Sequence, residues 1–377
     1  MNKKFLISDY FPLTVASGPA FCNRIEEISK LRGYILNKRP TLVISPRRYG
    51  KTSLVLEVVQ QTKLLYANID LFSVIDEQDI EKALLRGVCG LIQAMESIPK
   101  RALALASSIF EGIHLRAYIG NLGISIEVQQ RKEKPAYHIL DILERLDKLA
   151  QKTNKTIILF FDEFQCIQEV TQNHAIESVI RQVAQLTKSI SFIFSGSNRH
   201  LLAQLFDDRS RPFYKLCERI SLERISKAAY KKHLQKIAKK KWQHELPKEV
   251  LDMIFYYTEE HPYYINQLCS RLWSQKGPTV EAVNIIWQQY IKEERSHVAA
   301  EIELLSKYQR KLLTVLARNN KTDEILGQEF VQIANMAKTT ISQTINTLEK
   351  KDYVFRDEHG FMRILDPLIK YTLSQEQ

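Results

Sequence analysis

Apolar positions along the chain alternate between a period near 3.6 and short unbroken runs, the mark of helices interleaved with buried strands. Ile25, Ile28, Leu31 and Ile35 predict a helix over about 23–37. Leu42, Val43 and Ile44 predict a short buried strand, and Leu54, Val55 and Val58 an amphipathic helix after an intervening loop. Residues 64–72 predict a second strand, buried on both faces for most of its length, with Asn68 and Asp70 on one face near its carboxyl end. Residues 76–153 read as mostly helical, with Ile80, Leu84, Val88, Leu91 and Ile92 on one stripe. An extended or hairpin insertion interrupts them at about 114–128. The run Thr156-Ile-Ile-Leu-Phe-Phe-Asp-Glu-Phe164 predicts a strand ending in two acids. A helix over about 174–187 precedes a further buried strand, 189–198, that runs into Ser-Gly-Ser-Asn. Strands alternating with helices predict an α/β unit with a parallel sheet.

From 221 to about 294 the pattern is helical throughout. Leu234, Ile237, Leu246, Val250, Ile254, Ile265, Leu268, Leu272 and Trp273 supply its apolar faces. Residues 303–377 predict three helices and a wing. The first helix carries Leu304, Leu312, Leu313 and Leu316, the second Phe330 and Ile333, and the third, about 338–350, Ile341, Ile345 and Leu348. The wing, 353–364, is two strands about a His-Gly turn. The expected domains are therefore 1–220 with the insertion at about 76–153, 221–295, and 296–377.

The loop between the first strand and its helix carries the chemistry. In the phosphate-cradle signature G-x-x-x-x-G-K-[ST], Gly50, Lys51 and Thr52 match and Ser45 replaces the leading glycine. Gly50 lets backbone N–H groups curl round an anion, Lys51 brings charge to terminal phosphates, and the Thr52 hydroxyl suits Mg2+. The helix start behind them adds roughly half a positive charge. The candidate nucleotide-binding loop is thus Ser45, Pro46, Arg47, Arg48, Tyr49, Gly50, Lys51, Thr52 and Ser53. About 110 residues on, Asp162 and Glu163 form a Walker B arrangement at a strand's carboxyl end. Asp162 is placed to hold Mg2+ through water, and Glu163 to polarise an attacking water. Ser197 and Asn198, at the end of the next buried strand, are candidates to contact the γ-phosphate or that water.

Composition narrows the class. A chain of 377 residues has room for two or three domains, and 45% hydrophobic with 26% charged residues is ordinary for a soluble globular protein. Cys22, Cys89, Cys166, Cys217 and Cys269 are scattered and include no Cys-x-x-Cys pair, so neither a disulfide framework nor a zinc site is indicated. The first nine residues are too weakly apolar for a signal sequence, and no apolar run approaches a membrane span. The expected location is cytoplasmic, with no membrane partner. The net charge of +11 is spread: zero over 301–377, +4 over 221–300 and +7 over 1–220.

The combination resembles the archaeal-type P-loop ATPase family within the AAA+ and signal-transduction ATPase group. Phe21-Cys-Asn-Arg24, Ser45-Pro-Arg-Arg-Tyr-Gly-Lys-Thr-Ser53, Asp162-Glu-Phe-Gln165, Phe194-Ser-Gly-Ser197, Arg211-Pro-Phe-Tyr214 and His261-Pro-Tyr-Tyr264 carry the resemblance, in family order over 21 to about 270. It implies a three-layer α/β P-loop NTPase core of AAA+ type, an all-α lid and a winged helix-turn-helix. It further implies that Phe21 and Arg24 lie near the adenine, that Ser197 or Asn198 is the first sensor, and that His261-Pro262 touches the nucleotide. Glu260 stands two residues before Pro262, where relatives often carry glycine. Arg209 and Arg211 stand where similar ATPases project an arginine to a neighbouring subunit.

The function expected is ATP hydrolysis as a switch or remodelling cycle, with ATP and Mg2+ as ligands. The alternative is a nucleotide-gated regulator with negligible turnover. A P-loop kinase is disfavoured, since no acceptor site is visible. Exposed Lys338, Thr339, Thr340, Ser342, Gln343 and Asn346 on the third helix suit base edges or phosphates. The domain's neutrality leaves protein docking equally open, and a protein partner or homo-oligomer is also expected. The seven lysines within 227–241 can grip phosphates or simply shield apolar surface with their stems.

Overall fold

A computed structural model describes residues 6–96, 98–110, 115–120, 123–128, 134–171, 173–319, 324–357 and 359–375. They form two compact units: Arg24–Glu223, and Arg224–Gln377 together with the stretch ahead of Arg24.

The first unit runs α1 (Ile25–Leu36), β1 (Thr41–Ile44), α2 (Lys51–Thr62), β2 (Leu65–Asp70), α3 (Glu77–Met95), α4 (Pro99–Phe110), β3 (Leu115–Gly120), β4 (Gly123–Val128), α5 (Pro135–Lys152), β5 (Ile157–Asp162), α6 (Ile167–Val170), α7 (Ala175–Leu186), β6 (Ile190–Gly196), α8 (Arg199–Asp207) and β7 (Glu218–Ser221). Five strands make a parallel sheet in the order β2-β5-β6-β1-β7, with α1 and α2 packed together, as are α3, α5 and α7. This is the parallel-sheet α/β unit that the alternating pattern predicts, and the core that the family resemblance implies. β5 and β6 are buried almost end to end, as strands covered on both faces must be. Between them and α8, the rings of Phe161, Phe164, Phe192, Phe194, Phe206 and Phe213 form one aromatic cluster. The side chain of Asp76 caps α3 by accepting from Asp79 N at 2.8 Å. β3 and β4 pair antiparallel, the hairpin expected in the insertion.

Two expectations need correction here, and two elements were missed. β2 is buried on one face only, because it is the outer strand of the sheet and Tyr66, Asn68 and Asp70 face outward. Ile25 is exposed in the first turn of α1. β7 and α8 escaped the pattern reading: β7 is four residues long and buries only Ile220 inward.

The second unit is α9 (Lys227–Trp242), α10 (Lys248–Thr258), α11 (Pro262–Leu272), α12 (Val280–Glu303), α13 (Lys307–Arg318), α14 (Gln328–Ala334), α15 (Lys338–Lys350), β8 (Val354–Arg356), β9 (Met362–Ile364) and α16 (Pro367–Gln375). One continuous apolar core unites it. α12 passes unbroken through position 296, where the pattern reading places a boundary. Leu304 caps α12 and is exposed; Leu305 takes the buried position, and Ile333 is half exposed. α13 starts with a capping box between Ser306 and Gln309. α15 and the antiparallel β8–β9 pair match the predicted third helix and wing, while α16 was not foreseen. Ahead of Arg24, Tyr10 stacks on Trp273 at 5.4 Å, Phe11 meets the same ring edge-on at 5.8 Å, and Asn266 Nδ2 donates to Pro12 O at 2.9 Å.

Candidate functional site

β1 and β6 are in register so that Ile44 pairs with Gly196, and β5 pairs with β6 up to Phe161 and Phe194. Three strand ends therefore reach the same edge of the sheet, the carboxyl edge where ligands of open α/β sheets sit. What emerges there is the polar set Ser45, Asp162, Ser195 and Ser197.

The loop after β1 turns into α2 through Gly50, whose φ of +92° a side chain would oppose. Arg48 is also left-handed, at φ +65°. Ser45 needs no such conformation: it lies outside the positive-φ residues, is buried, and its Oγ donates to Pro46 O at 3.0 Å. That is how a serine serves where the signature has glycine. Lys51 Nζ lies 3.2 Å from Ser45 O and 3.3 Å from Pro46 O, so the ammonium crosses the concavity of the loop. Ser53 and Tyr49 are buried behind it. At the start of the unit, Arg24 is left-handed (φ +67°) and buried; its guanidinium donates to Glu223 O at 2.6 Å and Tyr49 O at 3.4 Å and pairs with Glu27 at 2.9 Å.

Thr52 and Asp162, 110 positions apart, meet directly: Thr52 Oγ1 donates to Asp162 Oδ2 at 2.7 Å. The other oxygen, Oδ1, accepts from the Ser195 hydroxyl and from Glu163 N at 3.1 Å. A hydroxyl and a carboxylate side by side form a hard oxygen donor pair, the kind Mg2+ takes when phosphates and water complete its shell. Among the described residues no cluster of three or more His, Cys, Asp or Glu could hold a metal by itself. Ser195 was not foreseen. Period two along β6 puts it on the same face as Ser197, and that was the available signal.

Glu163 sits in a left-handed turn (φ +51°) after β5. Its Oε2 accepts from Ser197 Oγ at 2.8 Å, Ser197 N at 3.4 Å and Gln165 Nε2 at 2.5 Å. Arg47 Nε lies 3.4 Å from Ser197 Oγ, linking the phosphate loop to this group. Gln165 was not foreseen either. It is buried, and a Cβ on Gly196 would lie 2.0 Å from its Oε1. Burial and the carboxylates of Glu169 and Glu163 push the nearby Cys166 thiol up to about 11, so it is no nucleophile at neutral pH.

Other predicted residues are placed differently. Asn198 is the N-cap of α8, its side-chain oxygen accepting from Leu201 N at 3.0 Å. Arg211 turns inward, 2.6 Å from His174 Nδ1 and 3.6 Å from the fully buried Glu177, whereas Arg209 is exposed. Phe21 and Pro262 belong to the second unit, Pro262 as the first residue of α11.

In the second unit, Lys338, Thr339, Gln343 and Asn346 are exposed on α15, with Thr340 and Ser342 half-buried. Of the lysines in 227–241, Lys227 pairs with Asp252 and Lys239 with Glu245, while Lys240 and Lys241 lie over the rings of Tyr10 and Trp273. Those four act as pairing and shielding groups; Lys231, Lys232 and Lys236 remain exposed. Among the described residues no helix is long and apolar enough to cross a membrane.

Against known proteins, the model of an ATPase domain predominantly from Archaea matches residues 21–268, and a winged helix domain model matches 299–375. Among solved structures, a Walker-type ATPase of Pyrococcus abyssi is 15% identical, with 94% of this chain and 96% of that one covered and a TM-score of 0.66. The Aeropyrum pernix ORC2 protein in its ADPNP and ADP complexes is 14% identical over 94% and 93% of the two chains, with a TM-score of 0.59. No curated protein sequence matches.

Proposed function

The chain belongs to the family of ATPase domains found predominantly in Archaea, and from that premise we propose that it binds Mg-ATP at the phosphate loop and hydrolyses the γ-phosphate in a switch or remodelling cycle coupled to the winged-helix domain. The observation that carries this is the meeting of Thr52 with Asp162 at 2.7 Å, with Glu163 next in the chain. It supports the reading because the residues proposed to bind phosphate and those proposed to activate water then share one sheet edge. The ORC2 protein of the same fold takes ADPNP and ADP, which supports an adenine nucleotide as the ligand.

In this reading the Gly50 turn and the start of α2 hold the phosphates through backbone N–H groups. Lys51 swings from the carbonyls of Ser45 and Pro46 to the terminal phosphates. Thr52 and Asp162 hold Mg2+, which when bound neutralises charge on the phosphates. Glu163 orients a water and accepts its proton, and Ser197 donates to the Glu163 carboxylate. Arg47, whose Nε lies 3.4 Å from Ser197 Oγ, contacts the γ-phosphate in this reading. The cytoplasm is the proposed location. Proposed partners are DNA, through α15 and the wing, or another protein or a second copy of the chain.

Turnover assays on the full chain test the reading. Wild type should release phosphate with Mg2+ and ATP; Lys51→Ala should lose nucleotide affinity, and Glu163→Gln should keep it while losing turnover. ATP binding without phosphate release, with or without DNA, would overturn hydrolysis and leave a nucleotide-gated regulator. A gel shift across salt concentrations tests DNA separately, and no shift at low ionic strength would remove it as a partner.

A further inference from the structure

We infer that Gln165 is a positioning residue that fixes which oxygen of Glu163 faces the reacting water, and that Gly196 lacks a side chain to make room for it. The inference deepens the hydrolytic reading and rests on it.

The left-handed turn at Glu163 leads into the 3-10 turn Phe164–Cys166, which folds Gln165 back onto the carboxylate it follows by two positions. A carboxylate only accepts, so the amide must present its NH2 to Glu163 Oε2, at 2.5 Å. Its own Oε1 then points at Gly196, where among the described residues it has no hydrogen-bond partner and where a Cβ would intrude to 2.0 Å. Filling space would not select this side chain. A methionine of similar shape would fill the same buried slot without an unpaired acceptor, and what glutamine adds is the N–H bond to Glu163.

The bond completes a one-sided arrangement. Oε2 of Glu163 receives Gln165 Nε2, Ser197 Oγ and Ser197 N. Among the described residues Oε1 receives no hydrogen bond, and Glu163 is only partly buried. Donors from two elements, the 3-10 turn and the end of β6, prevent the carboxylate from rotating. Oε1 is thereby the oxygen kept available to take a proton from water.

The test uses the full chain and steady-state ATP turnover on Gln165→Met and, independently, Gly196→Ala, which displaces the amide without removing it. Both should lower kcat by roughly 10- to 100-fold with KM changed less than about twofold, as expected of a misplaced reacting group. Thermal melts monitor folding, and rates are expressed per folded protein. An unchanged or increased kcat in Gln165→Met overturns the inference, an increase making Gln165 a restraint on Glu163. A fall in kcat matched by a comparable rise in KM overturns it as well, because that is the signature of general loosening of the site. Absence of turnover in wild type sinks the hydrolytic reading itself, whereas normal wild-type turnover with indifferent variants sinks this inference alone.

Discussion

Phe164 separates Glu163 from Gln165, and its ring is the anchor of the turn that carries both. It is fully buried, with ring centroids 4.6 Å from Phe194, 5.2 Å from Phe213, 5.9 Å from Phe161 and 6.0 Å from Phe206. Phe164→Ala removes the shared partner of four rings. These rings belong to two buried strands, a helix and a loop that cannot all close on the gap. The loss should therefore reach the usual range for a core phenylalanine, about 3–5 kcal/mol, a large part of the ~5–15 kcal/mol that holds a typical domain. With a urea m-value of about 2 kcal/mol/M, the midpoint of the first unit should fall by roughly 1.5–2.5 M. Far-UV circular dichroism follows that transition. Trp242, Trp273 and Trp287, the only three tryptophans in the chain, all lie in the second unit, so fluorescence reports that unit separately. A midpoint shift below about 0.5 M would show that the cluster repacks around the gap and that Phe164 is not the anchor.

Three further outcomes follow from groups outside the turn. Arg211→Ala leaves Glu177 buried without its cation and should cost about 3 kcal/mol in the same urea experiment, partly recovered by adding Glu177→Gln; a neutral single variant would contradict the inward placement of Arg211. Burial, reinforced by Lys236, holds the His233 imidazole down to about 4, below the ~6.5 of an unfolded chain. The unfolded state then binds more protons between those values, so stability should rise with pH from about 4 to 6.5 and fall on acidification. For this partly exposed ring we expect about 1–2 kcal/mol between pH 7 and 4.5, read by tryptophan fluorescence and flattened in His233→Gln. Ser195→Ala deletes a donor to Asp162 Oδ1 and should weaken the Mg2+ dependence of nucleotide binding by about tenfold; an unchanged Mg2+ titration would show that Ser195 does not orient the carboxylate.

Much of the core was legible because burial on both faces leaves unbroken apolar runs. β1, β5 and β6 announced themselves in this way, and the polar residues ending each run marked the functional edge. Gly50-Lys51-Thr52 was legible as well, since its chemistry is local. Contacts between elements were harder to read. Nothing in the spacing says that Gln165 folds back on Glu163, or that Gly196 is there to admit it. Asn198 looked like a strand-end polar group, yet capping α8 uses the same oxygen that would otherwise reach a ligand. Arg211 reads as a loop charge until Glu177, on α7, is seen to lie beneath it. Short edge elements such as β7 bury too few residues to leave a periodic signature.

The placing of Tyr10, Phe11 and Pro12 against α11 sets the order in which the protein can be completed during synthesis. Asn266 is 254 positions beyond Pro12. At about 5–20 residues per second, the ribosome needs roughly 13–50 s between making the two. Throughout that time the rings of Tyr10 and Phe11 lack their native partner, Trp273, while the whole of the first unit emerges and can fold. The second unit closes after the first, around a segment made ahead of it. Slow decoding within 24–223 would lengthen that exposure, and a chaperone holding apolar leading segments would shorten its consequences.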